Sequence, residues 1–387
     1  MDRCALIGAR LIDPDRNEVR DQTLLIEDGR IVDHVAPSAA LAPDWRRVEQ
    51  SGRLVAPGFI DVHFHGELFD APPARFGGAL ARASESLPAS GTTAWLATTM
   101  SWSDAELGPR VARLVDSIAA APPSGAVCLG VHLEGPWLSE TMPGAMAREA
   151  IRPFRAARDE AALDRAEGWL RMVTLAPEAT GADALLDSLA RRGVVASLGH
   201  SNASAAQIRA GIDRGLVHVT HLFNAMGPFH HRAPGVAGSV LALDRLSCDL
   251  IGDGHHVHPD VFRIAARALG DRLLLISDRV DFSAADAAVD PTRDPGAPLR
   301  LADGTIAGSQ LGLDQAVRNA MQFSGMSLVE AVAAATIRPA RLLGIERERG
   351  ALWPGARADL AILDETGRLV ETWIAGRKVY GSASTAS

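Results

Sequence analysis

Eight apolar runs of strand length recur between residues 56 and 349, and segments with helical periodicity separate most of them. The runs cover residues 59–65, 94–99, 127–134, 172–177, 194–200, 217–223, 246–252 and 273–278. Residues 183–192 and 203–214 carry apolar side chains three to four positions apart, as amphipathic crossover helices do. This alternation predicts an α/β protein with a (β/α)8 TIM-like barrel, a fold that takes about 250 residues. A doubly wound open sheet is the alternative, but no Gly-rich dinucleotide fingerprint follows the first run.

The two ends of the chain show short β-strand patterns instead. These patterns lie at residues 23–26 and 30–32, and again at residues 360–363, 370–374 and 378–380. Asp28-Gly29 separates the first two, and this pair favours the positive φ angles of a type I′ hairpin turn. Because a two-stranded piece is only marginally stable in water, we expect both ends to join. The predicted organisation is a small β-sandwich domain from residues 1–55 and 350–387, beside a barrel domain from residues 56–349.

Composition limits the partners of such a chain. Hydrophobic residues make up 47% of the sequence and charged residues 22%, which excludes a disordered chain. A net charge of −8 and the lack of a long Lys/Arg run argue against nucleic acid as a partner. We expect no membrane span, because no run of about eighteen apolar residues occurs. The N-terminus has no apolar leader, and three widely spaced cysteines predict buried thiols in a reducing cytoplasm.

Side chains that can bind a metal stand at or near the ends of five predicted strands. They are His63 and His65 on the first run, Glu134 on the third, His200 on the fifth, His221 on the sixth and Asp278 on the eighth. In a (β/α)8 barrel these ends converge on one mouth, where active sites are built. Histidine nitrogen and carboxylate oxygen suit zinc and similar divalent ions. The set therefore predicts a catalytic metal centre, although each histidine alone could be a structural loop residue and Asp278 a helix N-cap. The remaining histidines considered, which lack this context and are expected to be structural, are His34, His132, His218 and His258.

Several short motifs resemble one enzyme family. Residues 56–66 read APGFIDVHFHG, which is similar to the first-strand signature of the amidohydrolase superfamily. Narrower motifs are HLEGPWLS at 132–139, LGHSNA at 198–203, THLFNAM at 220–226, AGS at 307–309 and LDQAVRN at 313–319. Together they resemble the N-acetylglucosamine-6-phosphate deacetylase family over almost the whole chain. The resemblance implies hydrolysis of an amide that frees acetate and an amino sugar phosphate.

The resemblance also implies roles for individual residues. Metal ligands would be Glu134, His200 and His221 for a principal divalent ion, with His63 and His65 for a second, and zinc is the expected metal. Asp278 would take a proton from the attacking water and return it to the leaving amine. Substrate-binding residues would be Asn224, Ala225, Arg232, His256, Ala145, Met146, Ile306, Ala307 and Gly308. The family's arginine reaches a neighbouring subunit, so the resemblance implies a homodimer whose small-molecule partner is an amino-sugar phosphate.

Two features depart from the family pattern. Where the family has Gly-Ala-His after the glutamate motif, residues 144–146 read GAM, and the thioether of Met146 cannot donate a hydrogen bond. The segment 279–298 contains an Asp/Ala/Pro-rich stretch where the family has a small, Gly-containing one. The alternative substrate is therefore a different N-acyl amino sugar or another amide. A non-catalytic sugar-phosphate sensor is a third hypothesis, but a sensor has no need of Asp278.

Overall fold

The computed structural model describes residues 2–121, 124–281 and 297–381. In chain order its strands are β1 (Arg3–Ile7), β2 (Arg10–Asp13), β3 (Glu18–Asp21), β4 (Thr23–Glu27), β5 (Arg30–Val35), β6 (Arg46–Glu49), β7 (Leu54–Pro57), β8 (Phe59–Gly66), β9 (Thr92–Thr99), β10 (Val127–Glu134), β11 (Leu170–Leu175), β12 (Val195–Leu198), β13 (Leu216–Val219), β14 (Ser247–Ile251), β15 (Leu273–Ile276), β16 (Arg279–Val280), β17 (Leu360–Leu363), β18 (Leu369–Ile374) and β19 (Arg377–Tyr380). Its α-helices are α1 (Phe76–Ser86), α2 (Asp104–Ala119), α3 (Ala156–Arg165), α4 (Ala182–Arg192), α5 (Ala205–Asp213), α6 (Gly235–Leu241), α7 (Pro259–Leu269), α8 (Leu313–Ser324), α9 (Leu328–Ala335) and α10 (Ile337–Leu342).

Strands β8 to β16 form one curled parallel sheet, in the order β15-β14-β13-β12-β11-β10-β9-β8-β16. The ends of this sheet meet, because the short β16 follows β15 and pairs with β8 through Arg279 and Phe64. Next to that pair, the amide of Asp278 donates to the carbonyl of His63 at 3.0 Å. Each of the eight predicted apolar runs coincides with one of β8 to β15. The predicted TIM-like barrel is therefore confirmed, and the open-sheet alternative is not.

The barrel strands are buried on both faces, which explains why they read as continuous apolar runs. All eight residues of β8 and all eight of β9 are buried. Helices cover the outside with one apolar face each, as α4 does with Leu185, Leu186 and Leu189. This packing leaves the carboxyl ends of the strands as the place where polar side chains collect.

The two chain ends form two further sheets, with orders β5-β4-β1-β6 and β19-β18-β17-β7-β2-β3. The second sheet joins both ends of the chain, since β7 pairs antiparallel with β17. Asp28 and Gly29 have φ angles of 48° and 79°, as the predicted hairpin turn between β4 and β5 requires. One apolar core takes residues from both sheets, including Leu6, Val55 and Leu360. The exact domain limits at residues 55/56 and 349/350 stay a prediction.

The structure also bears on three other predictions from the sequence, which concern a membrane span, the cysteines and the segment 279–298. Across the described ranges, no helix combines the length and apolar character needed to cross a membrane. Cys4 and Cys248 are buried free thiols as predicted, whereas Cys128 is only half-buried. Most of the departing segment 279–298 lies outside the described residues, which end at 281 and resume at 297.

Candidate metal centre

The barrel brings six side chains together at the carboxyl ends of its strands. This metal-ligand cluster consists of His63 and His65 on β8, Glu134 at the end of β10, and His200, His221 and Asp278, each two residues beyond β12, β13 and β15. The two histidines of β8 share a face because side chains of a strand alternate with period two. All six are buried, and Asp278 at 9% is the most exposed.

The Glu134 carboxylate is the centre of the cluster. Its Oε1 lies 3.0 Å from Nε2 of His200 and 2.8 Å from Nε2 of His221. Its Oε2 lies 3.3 Å from Nε2 of His63 and 3.2 Å from Nε2 of His65. One carboxylate thus faces two pairs of imidazoles, one pair with each oxygen.

Asp278 faces the same histidine pair as Glu134. Its Oδ1 lies 3.2 Å from Nε2 of His63 and 3.3 Å from Nε2 of His65, and the two nitrogens are 3.2 Å apart. Ligand atoms held about 2.0–2.1 Å from a tetrahedral zinc ion are about 3.3 Å from one another. These spacings therefore fit a small divalent ion between the histidine pair and the carboxylates.

Two overlapping sets in the cluster have ligand atoms close enough for one ion. They are His63 with His65 and Glu134, and Glu134 with His200 and His221. Neutral imidazoles and carboxylates are the donors that divalent transition metals prefer. The arrangement indicates a divalent metal centre, with Glu134 common to both sets.

Three members of the cluster have left-handed backbone conformations. The φ angles are 46° at His200, 33° at His221 and 48° at Asp278. Such a conformation costs about 1–3 kcal/mol at a residue other than glycine and occurs often at functional sites. Hydrogen bonds hold it here: Ser139 N–H donates to the His200 carbonyl at 3.0 Å, and Ser309 N–H to the Asp278 carbonyl at 2.8 Å. The chain turns sharply after each strand and so points these side chains into the mouth.

Two residues outside the cluster, Asp249 and His218, support His221 from inside the barrel. Asp249 accepts a hydrogen bond from the backbone N–H of His221, and its other oxygen accepts one from Nε2 of His218 at 3.0 Å. Nδ1 of His218 lies 2.7 Å from the Ser247 hydroxyl. His218 and Asp249 are fully buried. The pair holds the backbone of a cluster residue in its left-handed conformation.

Asp61 supports the other side of the cluster in the same way. Its Oδ1 accepts the backbone N–H of His63 at 3.2 Å and of Ser277 at 3.4 Å, which links β8 to the end of β15. Burial raises the pKa of Asp61 to about 6. Asp61 and Asp249 were not predicted from the sequence. The available signal was a carboxylate inside an apolar run, because a buried charge needs hydrogen-bond donors.

The charges of the cluster stabilise one another. Burial alone would raise the pKa of Asp278, but the charges of the histidines and a hydrogen bond from His65 lower it to about 2. Burial alone would lower the pKa of His65, but hydrogen bonds to Asp278 and Glu134 raise it to about 10. In the same way Glu134 outweighs burial and raises the pKa of His221 to about 9. The carboxylates are therefore ionised at neutral pH. Their negative charges stabilise either protonated histidines or a bound metal cation.

A cavity of about 270 Å³ opens directly above the cluster. Of the predicted substrate-binding residues, those that line it are Asn224, Ala225, His256, Ala145, Met146, Ile306, Ala307 and Gly308. Nδ1 of His256 is 2.6 Å from Asp253 Oδ2, which fixes the orientation of its ring. Arg232 does not line the cavity: it is exposed, and its Nη1 donates to Nε2 of the neighbouring His231 at 2.8 Å. Phe69, Met100 and Thr305 line the cavity too, although they were not predicted from the sequence.

The chain is similar to known proteins over most of its length. The sequence pattern of the amidohydrolase family matches residues 54–379. N-acetylgalactosamine-6-phosphate deacetylase of Escherichia coli O157:H7 is 33% identical over 375 residues, which cover 93% of this chain and 98% of that protein. N-acetylglucosamine-6-phosphate deacetylase of Bacillus subtilis is 34% identical over 336 residues, 84% of this chain and 85% of that protein. The chain belongs to the N-acetylglucosamine-6-phosphate deacetylase family of amidohydrolases.

Solved structures of this deacetylase family have the same fold. The enzyme of Mycobacterium smegmatis, solved as a variant in complex with N-acetyl-D-glucosamine-6-phosphate, is 31% identical with a TM-score of 0.85, covering 98% of this chain and 100% of that chain. The enzyme of Pasteurella multocida is 25% identical with a TM-score of 0.87, covering 97% and 99%. The resemblance expected from the motifs is confirmed, and this member of the deacetylase family is a hydrolase.

Proposed function

We propose that this deacetylase-family chain hydrolyses the amide of an N-acetylated hexosamine 6-phosphate, with N-acetylglucosamine 6-phosphate as the leading substrate. The observation that carries the proposal is the buried cluster in which Glu134 faces four imidazoles and Asp278 faces two of them. A sugar-phosphate sensor would have no use for this arrangement. The reaction frees acetate and an amino sugar phosphate, as in amino-sugar catabolism.

A bound divalent ion would polarise the acyl carbonyl and make a water nucleophilic at neutral pH. Glu134, His200 and His221 would hold the principal ion, and His63 and His65 a second. We favour zinc because the donors are imidazole nitrogen and carboxylate oxygen.

Asp278 moves the proton that the reaction requires. Its ionised carboxylate takes a proton from the attacking water while the water oxygen bonds to the carbonyl carbon. It then gives that proton to the nitrogen as the C–N bond breaks, because an amine anion is a poor leaving group. At 9% exposure, Asp278 is the member of the cluster that is most open to the cavity. This position supports its role between the water and the leaving amine.

Polar residues farther out would bind the sugar phosphate. Asn224 and His256 line the cavity, and the His256 ring is oriented by Asp253. Arg232 suits a phosphate because its planar guanidinium can bind two oxygens at once. Since Arg232 lies outside the cavity of its own chain, we propose that its guanidinium binds phosphate in the cavity of a second copy in a homodimer.

The cysteines support a cytoplasmic location for the protein, because all three are free thiols and a reducing compartment keeps thiols in that form.

A four-substrate assay tests the proposal. Acetate release is measured with N-acetylglucosamine 6-phosphate, N-acetylgalactosamine 6-phosphate and the two sugars without phosphate, together with the metal content of the same sample. We expect both phosphates to exceed their unphosphorylated forms in kcat/KM. The ratio between the two phosphates assigns the epimer, a choice left open by relatives named for each sugar. Equal rates with and without phosphate would contradict the phosphate claim.

A further inference from the structure

Three large apolar side chains line the cavity above the cluster, those of Phe69, Met100 and Met146, and we call them the apolar wall. The Phe69 ring meets the ring of His65 edge-on, with centroids 6.2 Å apart. Met100 packs against the small buried cluster that contains Met146. The apolar wall therefore starts directly at the metal-ligand cluster.

Met146 is held close to Glu134 and offers no hydrogen-bond donor. Its sulfur accepts the backbone N–H of Ser101 at 3.3 Å, and the Ser101 hydroxyl donates to the Glu134 carbonyl at 3.0 Å. A thioether accepts weakly and cannot donate. The wall therefore supplies hydrocarbon and sulfur to a group bound beside Glu134.

The loop that carries Met146 is locked against the cluster. Gly144 has a φ of 55°, and a Cβ there would lie 3.0 Å from Cε1 of His200 and 3.2 Å from the Ala225 Cβ. Nδ1 of His200 lies 3.1 Å from the carbonyl of Pro143, to which Met146 N–H also donates at 2.9 Å. Met146 thus has a fixed position relative to the site of reaction.

The rest of the cavity lining includes the polar groups of Asn224, His256 and Thr305 and smaller apolar side chains such as Ile306. An N-acyl amino sugar phosphate also has both kinds of group, since its sugar carries hydroxyls and phosphate and its acyl substituent is hydrocarbon. We infer that the apolar wall receives the acyl substituent and that this site prefers acyl chains longer than acetyl. The inference rests on the proposed function and specifies its substrate class. Each methylene that moves from water onto the wall raises kcat/KM about fourfold, provided that it is buried.

The test compares N-acetyl-, N-propionyl- and N-butyrylglucosamine 6-phosphate by the release of free amine. We expect the intact enzyme to hydrolyse the propionyl substrate with a kcat/KM about fourfold above the acetyl one. A propionyl/acetyl ratio below one overturns the inference while the deacetylase function stands. If none of the three substrates is hydrolysed, the proposed function itself fails.

Two variants of Met146 test whether the apolar wall determines the propionyl/acetyl ratio of kcat/KM. Met146→Leu keeps an apolar side chain and should keep a propionyl/acetyl ratio above one. Met146→His introduces a polar ring and should lower the ratio below one. Met326→His, at a half-buried methionine that does not line the cavity, is the matched control and should leave the ratio unchanged. An unchanged ratio in Met146→His overturns the inference. If that variant does not fold, Met100→Ser takes its place with the same two outcomes.

Discussion

The metal-ligand cluster and the apolar wall line the same cavity but are held in different ways. Every member of the cluster lies on or two residues beyond a barrel strand, and the fixed backbone of His200, His221 and Asp278 aims it inward. The wall comes from segments between strands, and the Met146 side chain is held by the contact of its sulfur with Ser101 N–H and by packing against Leu138 and Ile151. The barrel strands thus position the hydrolytic groups, whereas the loops form the part of the site that selects the substrate. Changes in the cluster or in the residues that support it should therefore affect kcat or metal binding, and changes in the apolar wall or at the phosphate-binding residues should affect KM or substrate choice.

The largest effect should follow Asp278→Asn, because this change removes the proton acceptor but keeps the size of the side chain. We expect kcat to fall by about 10²–10⁴, while metal content at Glu134, His200 and His221 survives. Steady-state kinetics and metal analysis of the same sample measure both. Asp281→Asn is the matched control, since Asp281 pairs with Arg279 at 2.9 Å outside the cavity. Activity that persists in Asp278→Asn would refute the acid–base role.

The next effect concerns Asp249, which supports the cluster without belonging to it. Asp249→Ala should weaken metal binding by about 10–100-fold, because the His221 backbone loses its acceptor. Asp249→Asn should recover most of the affinity, since its amide oxygen can still accept that N–H. Competition with a chromophoric chelator gives the affinities, and Asp244→Ala is the control at a fully exposed carboxylate. Equal affinities for the Ala and Asn variants would show that Asp249 does not position His221.

A smaller effect should follow Arg232→Ala, outside the cluster. We expect KM for the phosphorylated sugars to rise about tenfold with little change in kcat, because a remote contact contributes uniform binding. Unphosphorylated sugars should be unaffected. Arg245→Ala is the matched control at an exposed arginine that pairs with Asp213 instead. A loss in kcat, or an equal loss for both kinds of sugar, would refute the phosphate role.

The smallest effect is the pH dependence of stability in metal-free protein. His65 and His221 have pKa values raised to about 10 and about 9. Their protonated rings therefore stabilise the fold fully below pH about 6.5, and this stabilisation is lost as pH rises through about 9–10. Asp278, with a pKa lowered to about 2, loses its contribution only as pH falls below about 4 towards 2. We expect the Tm of chelator-treated protein to drop by several degrees between pH about 6.5 and 9.5.

Calorimetry of two histidine variants tests whether His65 causes the alkaline drop in Tm. His65→Asn should flatten the alkaline drop in Tm, whereas His258→Asn, at an exposed side chain, should leave it unchanged. Metal-loaded protein should show a smaller drop, because the ligand rings are neutral when they bind a metal. A Tm independent of pH in metal-free protein would contradict the account of the cluster.

The sequence could predict the barrel and the metal-ligand cluster because both depend on regular spacing. Strand runs recur with helices between them, and His63 and His65 are two residues apart on one strand. The wall could not be predicted in this way. Phe69 ends the short 3-10 helix Glu67–Phe69 after β8, and Met100 directly follows β9. Nothing in the local sequence shows that these side chains meet at one cavity. The role of Asp249 was not predictable for a different reason. A carboxylate inside an apolar run indicates that hydrogen-bond donors lie nearby, but the sequence does not show which residues supply them.

The most direct test of the central claim is a metal titration. Protein is treated with a chelator and dialysed, and zinc is then added in steps while bound metal and acetate release from N-acetylglucosamine 6-phosphate are measured together. The account predicts no acetate release from metal-free protein and activity that rises in proportion to bound zinc. It also predicts that a Glu134→Gln variant neither retains the metal nor regains activity. Acetate release that is unaffected by chelation, or absent at every metal loading, would contradict the account.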